Sequence, residues 1–160
     1  MLTVLLAVLA GVASVPAHSA GNPSASGGGT ISGGPTQHAN FGFTCIQHQN
    51  GEAKGQLELT VRDTSGDTRV HVELNCIDFH DGNQATMSGP ITQVRSPNPA
   101  DQQAIGYTMI FTVQDNGEGK NAAPDLTSDF LVFPPNSGQD CHSMQPPPEH
   151  PVQGNVQVRP

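Results

Sequence analysis

Tryptophan is absent from this 160-residue chain, and Tyr107 is the single tyrosine. Aromatic packing therefore falls to Phe41, Phe43, Phe79, Phe111, Phe130 and Phe133. Cations are scarce too. Lys54, Lys120, Arg62, Arg69, Arg95 and Arg159 stand against 14 acidic residues, for a net charge of −8. No basic stripe exists to neutralise phosphates, so neither nucleic acid nor anionic lipid is an expected partner. Beyond the first 20 residues no window carries a helical apolar period with caps. GxSxG, HExxH and Ser-x-x-Lys are missing, as are CxxC and Cys/His spacings for zinc.

What the chain does have is glycine (18) and proline (14), with few charges, the composition of a loop-rich all-β protein. Leu2 to Val15 is apolar and is followed by small residues up to Ala20. That pattern predicts a secretory signal peptide over 1–20, too short to span a bilayer, with no Lys or Arg before it. The expected address is secreted and extracellular, with no membrane span after processing. Residues 21–35 read as a flexible Gly/Ser-rich lead-in, in which Thr30-Ile31 adds a short edge strand. Gly27-Gly28-Gly29 lacks the Lys-Ser/Thr that a phosphate-binding loop requires. Residues 36–160 are long enough for one modest core.

Within that domain, apolar residues alternate along His38 to Ile46, Gly55 to Arg62 and Ile105 to Gln114. The central stretch, Arg69 to Val94, holds two such runs around His80-Asp81-Gly82-Asn83, a hairpin signal. Its apolar phase slips near Cys76-Ile77 and near Gly89-Pro90, which predicts bulges. Leu126 to Phe133 and Asn155 to Val158 add further strands, separated by a Pro-rich tail segment at 134–153. The expectation is a small antiparallel β-sandwich or open β-barrel of six to eight short strands.

Cys45, Cys76 and Cys141 are odd in number. In an oxidising compartment, one pair and one free thiol are expected. Cys76–Cys141 would tie the Pro-rich tail to the sheet and contribute about 3–4 kcal/mol by closing a long loop. Cys45–Cys76 is the alternative, on neighbouring strands.

Four groupings bear on chemistry. Asp115, Asn116, Glu118, Asp125 and Asp129 crowd hard oxygen ligands around a Gly-rich turn, as calcium requires, though not at EF-hand spacing. His71 and Glu73 share a strand face, where His80 or Asp78 could complete a metal site. Glu58 and Glu73 are candidates for a cross-strand carboxylate pair of the glycosidase type. Thr60, Thr86, Thr108, Thr112 and Gln114 form a polar outer face suited to glycans, weakened by the lack of aromatic platforms. Each also has a plain structural reading, as turn, solvated face or strand exterior, so no cofactor and no catalytic residue is assigned.

The order GGGTI, ANFGF, GQLELTVRD, VHVELNC, GNQATMSG, FTVQDNGEG, a late Cys and GNVQVR resembles the bacterial secreted domains called post-COAP. Those modules follow choice-of-anchor P domains in extracellular proteins. The resemblance spans Gly27 to Arg159 and implies a secreted all-β module of no assigned activity. The resulting expectation is a non-catalytic extracellular structural or interaction module, with a cell-surface protein or glycan as partner. A calcium- or glycan-binding β-domain is the alternative, and a small secreted hydrolase stands behind it.

Overall fold

Phe41, Phe43 and Cys45 alternate with Gly42 and Thr44, and the chain there extends as a strand with one apolar face, Gln37–Gln47. The same logic repeats through the computed structural model, which describes residues 21–33, 37–64 and 66–160. The expected leader at 1–20 lies outside those residues. In chain order the strands are β1 Ser24–Gly33, β2 Gln37–Gln47, β3 Ala53–Asp63, β4 Gly66–Leu74, β5 Cys76–His80 and β6 Gln84–Arg95. After them come β7 Thr108–Gln114, β8 Leu126–Thr127, β9 Leu131–Phe133, β10 His150–Pro151 and β11 Gln153–Arg159. All pairings are antiparallel, in the order β10-β8-β7-β6-β4-β3-β2-β1-β11, with β5 beside β6 and β9 beside β7.

The two ends of this sheet nearly meet. β10 pairs with β8 at one end and β11 pairs with β1 at the other, yet only Val152 separates β10 from β11. A single residue thus crosses the seam, and the antiparallel sheet is nearly closed into a barrel. Of the two expected architectures, sandwich and open barrel, the barrel is the one formed.

The Gly-rich run, expected as a flexible lead-in, is instead a ten-residue strand paired on both sides, with β2 and β11. The reason is steric. A Cβ at Gly28 would collide with the Phe41 carbonyl oxygen, and one at Gly154 with the Gly28 carbonyl oxygen. The three strands approach so closely that only glycine fits between them.

β6 binds the two halves of the fold together. Its first half pairs with β5 and its second with β4, while β7 runs along its other edge. Two irregularities of opposite sense bend it. Glu73, Leu74 and Asn75 oppose only Gly89 and Pro90, and Thr92 is an extra residue opposite the His71–Val72 step. The slip predicted near Cys76-Ile77 is therefore real and moves Cys76 onto the outer face, opposite Ser88, whereas the second falls at Thr92 rather than at Gly89-Pro90. β7 begins three residues later than the alternation predicts, because Pro99–Ala104 forms a 3₁₀ turn capped by Asn98, leaving Ile105 exposed.

The interior is filled by Leu57, Val72, Met87, Ile91 and a closed ring of four phenylalanines. Phe41 meets Phe43 at 6.1 Å between centroids, Phe43 meets Phe111 at 5.6 Å, Phe111 meets Phe130 at 5.2 Å and Phe130 meets Phe41 at 5.7 Å. These rings reach across the barrel from β2 to β7 and occupy its centre. Outside, the stretch around Cys141 to Pro146 docks on β5 and β6, and much of β6 and β7 is buried on both faces.

Gly28→Ala should lower stability by about 2–4 kcal/mol, since the new methyl group has no room to move into. Its cross-strand partner makes the control. A Cβ at Gly42 meets nothing, so Gly42→Ala should stay within about 0.5 kcal/mol of the parent in urea melts. Equal losses at both sites would mean that β1 is not packed between its neighbours.

Candidate functional site

The acidic turn after β7 was the first candidate, and its carboxylates are engaged by the main chain. Asp125 is buried, and its two oxygens accept N–H bonds from Asn116 at 2.9 Å and Val156 at 2.7 Å. Asp115 accepts from Gly117 at 2.8 Å and from Val158 at 3.0 Å. Val156 and Val158 lie on the edge of β11 that faces away from β1. The aspartates therefore take the place of a neighbouring strand and close the seam with charge-assisted hydrogen bonds. Asn116 donates its amide to the Pro124 carbonyl. Glu118 accepts from Gln157, and Asp129 lies apart, beside His150 at 2.9 Å. Among the described residues these five side chains do not converge on a common point as ligands of one ion would.

The second grouping is rearranged by register. Glu58 stands opposite His71, whose Nδ1 engages its carboxylate, and Glu73 stands opposite Gln56. Glu58 and Glu73 are thus diagonal neighbours, and Glu58 is committed to His71. Asp78 accepts from Gln145 at 2.7 Å and faces His142, and His80 turns to Thr86, so neither joins His71 and Glu73.

The polar outer face is corrected at its centre. Thr86 and Thr112 are fully buried and bond each other at 2.7 Å, beneath the segment that follows β8. Ser128 donates its hydroxyl to its neighbour Asp129 and accepts from the Thr112 amide at 2.8 Å. Thr86 and Thr112 cannot meet a glycan, because the chain itself covers them, while Thr60, Thr108 and Gln114 are half-buried, Thr60 on the separate outer face of β3. One arrangement was not foreseen from the sequence. Asp81, His80 and Thr86 are linked in series, at 3.5 Å and 2.9 Å, in the connectivity of an acid–base–nucleophile relay. The Thr86 hydroxyl is closed to solvent and already shared with Thr112, so a substrate carbonyl has no path to it.

Cys76 and Cys141 form the disulfide, 65 residues apart in sequence. The Cys141 amide donates to Ser88 Oγ at 3.0 Å, and Pro146 is buried beyond it. The turn that carries Cys141 is capped by Asp140, which accepts from the His142 and Ser143 amides. The Ser143 amide, ahead of the other contacts, holds the Asp140 carboxyl below its ordinary value. Cys45 is the free thiol, buried in the barrel wall. Burial pushes its pKa from 9.0 to about 11, the opposite of a reactive cysteine.

Several surface clefts are open among the described residues. One, of about 980 Å³, lies by the β2–β3 turn and is lined by polar groups including His48, Gln49, Asn50, Lys54 and Asn75. A second, of about 220 Å³, lies on the outer face of β3, β4 and β6. A third, of about 230 Å³, lies beside the seam, between the acidic turn and Val152, Gly154 and Asn155. No family model, curated protein or solved structure matches this chain. The chemistry available at the first two clefts is hydrogen bonding and charge pairing.

Asp125→Asn places an amide donor against a main-chain N–H and should cost about 2–3 kcal/mol. Asp129→Asn, on an exposed side chain, should cost under about 0.5 kcal/mol. Comparable losses in chemical denaturation would remove Asp125 from its role at the seam.

Cys45 yields a pH dependence. The folded thiol keeps its proton between pH 9 and about 11, while the unfolded thiol releases it. Stability from this group is whole below pH 9 and declines by roughly 2–3 kcal/mol as pH rises to 11. The stability difference between the parent and Cys45→Ala should narrow over that range; parallel curves would put the thiol in contact with solvent.

Proposed function

We propose that this chain is a secreted, non-catalytic extracellular module with a structural or interaction role. The observation that carries the reading is the covered and filled barrel. Four phenylalanines occupy its centre, and a segment held by the Cys76–Cys141 disulfide lies over its outer face. Such a body offers surfaces for contact, and the clefts described on it are open ones. The disulfide suits an oxidising compartment, in keeping with the apolar run at Leu2 to Val15 and with the motif order that resembles post-COAP modules. Glycan binding is the second reading, moved from the covered threonine face to the polar cleft by the β2–β3 turn. That cleft supplies hydroxyl-matching donors and acceptors.

The test uses protein recovered from culture medium, with its N-terminus expected near residue 20. Thermal melts are run with calcium, with a chelator, with soluble neutral glycans and alongside a hydrolase substrate panel. A module of this kind shows no turnover and no calcium shift. A bound glycan at about 100 times its Kd raises stability by roughly 2.7 kcal/mol, several degrees in Tm. Turnover lost on Glu58→Gln would overturn the non-catalytic reading, and recovery only from cells with Met1 intact would overturn the address.

A further inference from the structure

We propose that the smaller cleft on the outer face of β4 and β6 binds a single oxyanionic group, a sulfate, phosphate or carboxylate, through Arg69 and Arg95. These are two of only six cations in a chain of net charge −8. The sheet register sets them directly opposite each other. Like charges in that position repel. Among the described residues neither arginine has an ion-pair or hydrogen-bond partner, whereas Arg62 on the same face is paired with Asp67 at 3.3 Å. The fold therefore sets two exposed arginines opposite each other on one face, with no side-chain partner among the described residues. Between and beside them lies a concavity of about 220 Å³, lined also by Gln93, His71 and Glu58.

The remaining lining groups favour an anion. The one carboxylate in the cleft, Glu58, is engaged by His71 Nδ1, which also orients the imidazole. Gln93 adds an amide donor at the rim. Guanidinium forks match oxyanions bidentately, and two forks facing one concavity fit one compact group better than an extended chain of charges. The overall charge of −8 argues the same way, since it repels a polyanion far more strongly than a ligand with one charged substituent.

The cleft deepens the interaction-module reading by naming a ligand chemistry, and only its identification as a non-reacting binding site rests on that reading. The test has two independent readouts. At constant ionic strength, Tm is measured with sodium chloride, sulfate and phosphate, and affinity is measured by calorimetry for an O-sulfated monosaccharide, an O-phosphorylated one, a uronic acid and their neutral parent. Sulfate or phosphate should raise the parent protein's Tm above the chloride value. Arg69→Gln and Arg95→Gln should each abolish that rise and weaken the best ligand at least 10-fold, while Arg62→Gln leaves both unchanged. Each variant should also melt higher than the parent in chloride alone, because the repulsion is gone. Binding by free anions but by no sugar would assign the site to small inorganic oxyanions. Equal anion response in parent and both variants, or lower Tm in chloride for both, would overturn the cleft. Release of sulfate or phosphate from the sugars would overturn the non-catalytic reading and leave the cleft standing.

Discussion

A sheet with two free edges exposes rows of N–H and C=O groups to any other strand, and this chain resolves that problem at a single seam. β10 and β11 sit at opposite ends of the strand order, one residue apart in sequence. Full closure by backbone ladder is not achieved there, and Asp115 and Asp125 complete it by accepting the amides of Val156 and Val158. A carboxylate is shorter than a strand and can be placed singly, so two side chains seal what a twelfth strand would otherwise have to cover. Beside the seam, β1 runs so close to β2 and β11 that glycines are needed at Gly28, against β2, and at Gly27 and Gly29, against β11.

The outer face shows a second consequence of closure. A barrel whose interior is already filled has no place for further apolar groups, so Ile110 is buried outside the main core, with Cys141 and Pro146 above the sheet. Thr86, Thr112, Thr127 and Ser128 satisfy one another or the main chain beneath this cover, and no buried polar side-chain atom among the described residues lacks a partner. The disulfide anchors the cover at the point where β5 leaves β4, with Cys141 docked on Ser88. What is left to the solvent includes a rim of loops and the outer faces of β2, β3, β4 and β11, and the clefts by the β2–β3 turn and over β4 and β6 lie there.

Alternation over Phe41 to Cys45, Leu57 to Val61 and Met109 to Val113 was sufficient to read the inward faces, because a strand repeats every two residues. The Asp81-Gly82 turn and the phase slip near Cys76-Ile77 were legible for the same reason. The glycine run was misread. Low side-chain volume marks a flexible linker and a close strand crossing alike, and only the neighbours distinguish them. Thr86 and Thr112 were placed outside correctly but exposed wrongly, since period says which face a side chain takes and not what covers it. The carboxylates of the acidic turn carried a signal for hard ligands. Their partners proved to be amides more than 30 residues away, or close by in the turn itself.

The all-β class, the main strands, the central hairpin and the odd free cysteine were determined by the amino-acid sequence, because each depends on local period, turn chemistry or a count. Barrel rather than sandwich, the seam between Asp125 and Val156, the cover over the threonines and the opposition of Arg69 to Arg95 were decided only by tertiary structure. Each of these joins residues distant in sequence or cancels one local irregularity against another, and no periodic pattern records such a meeting.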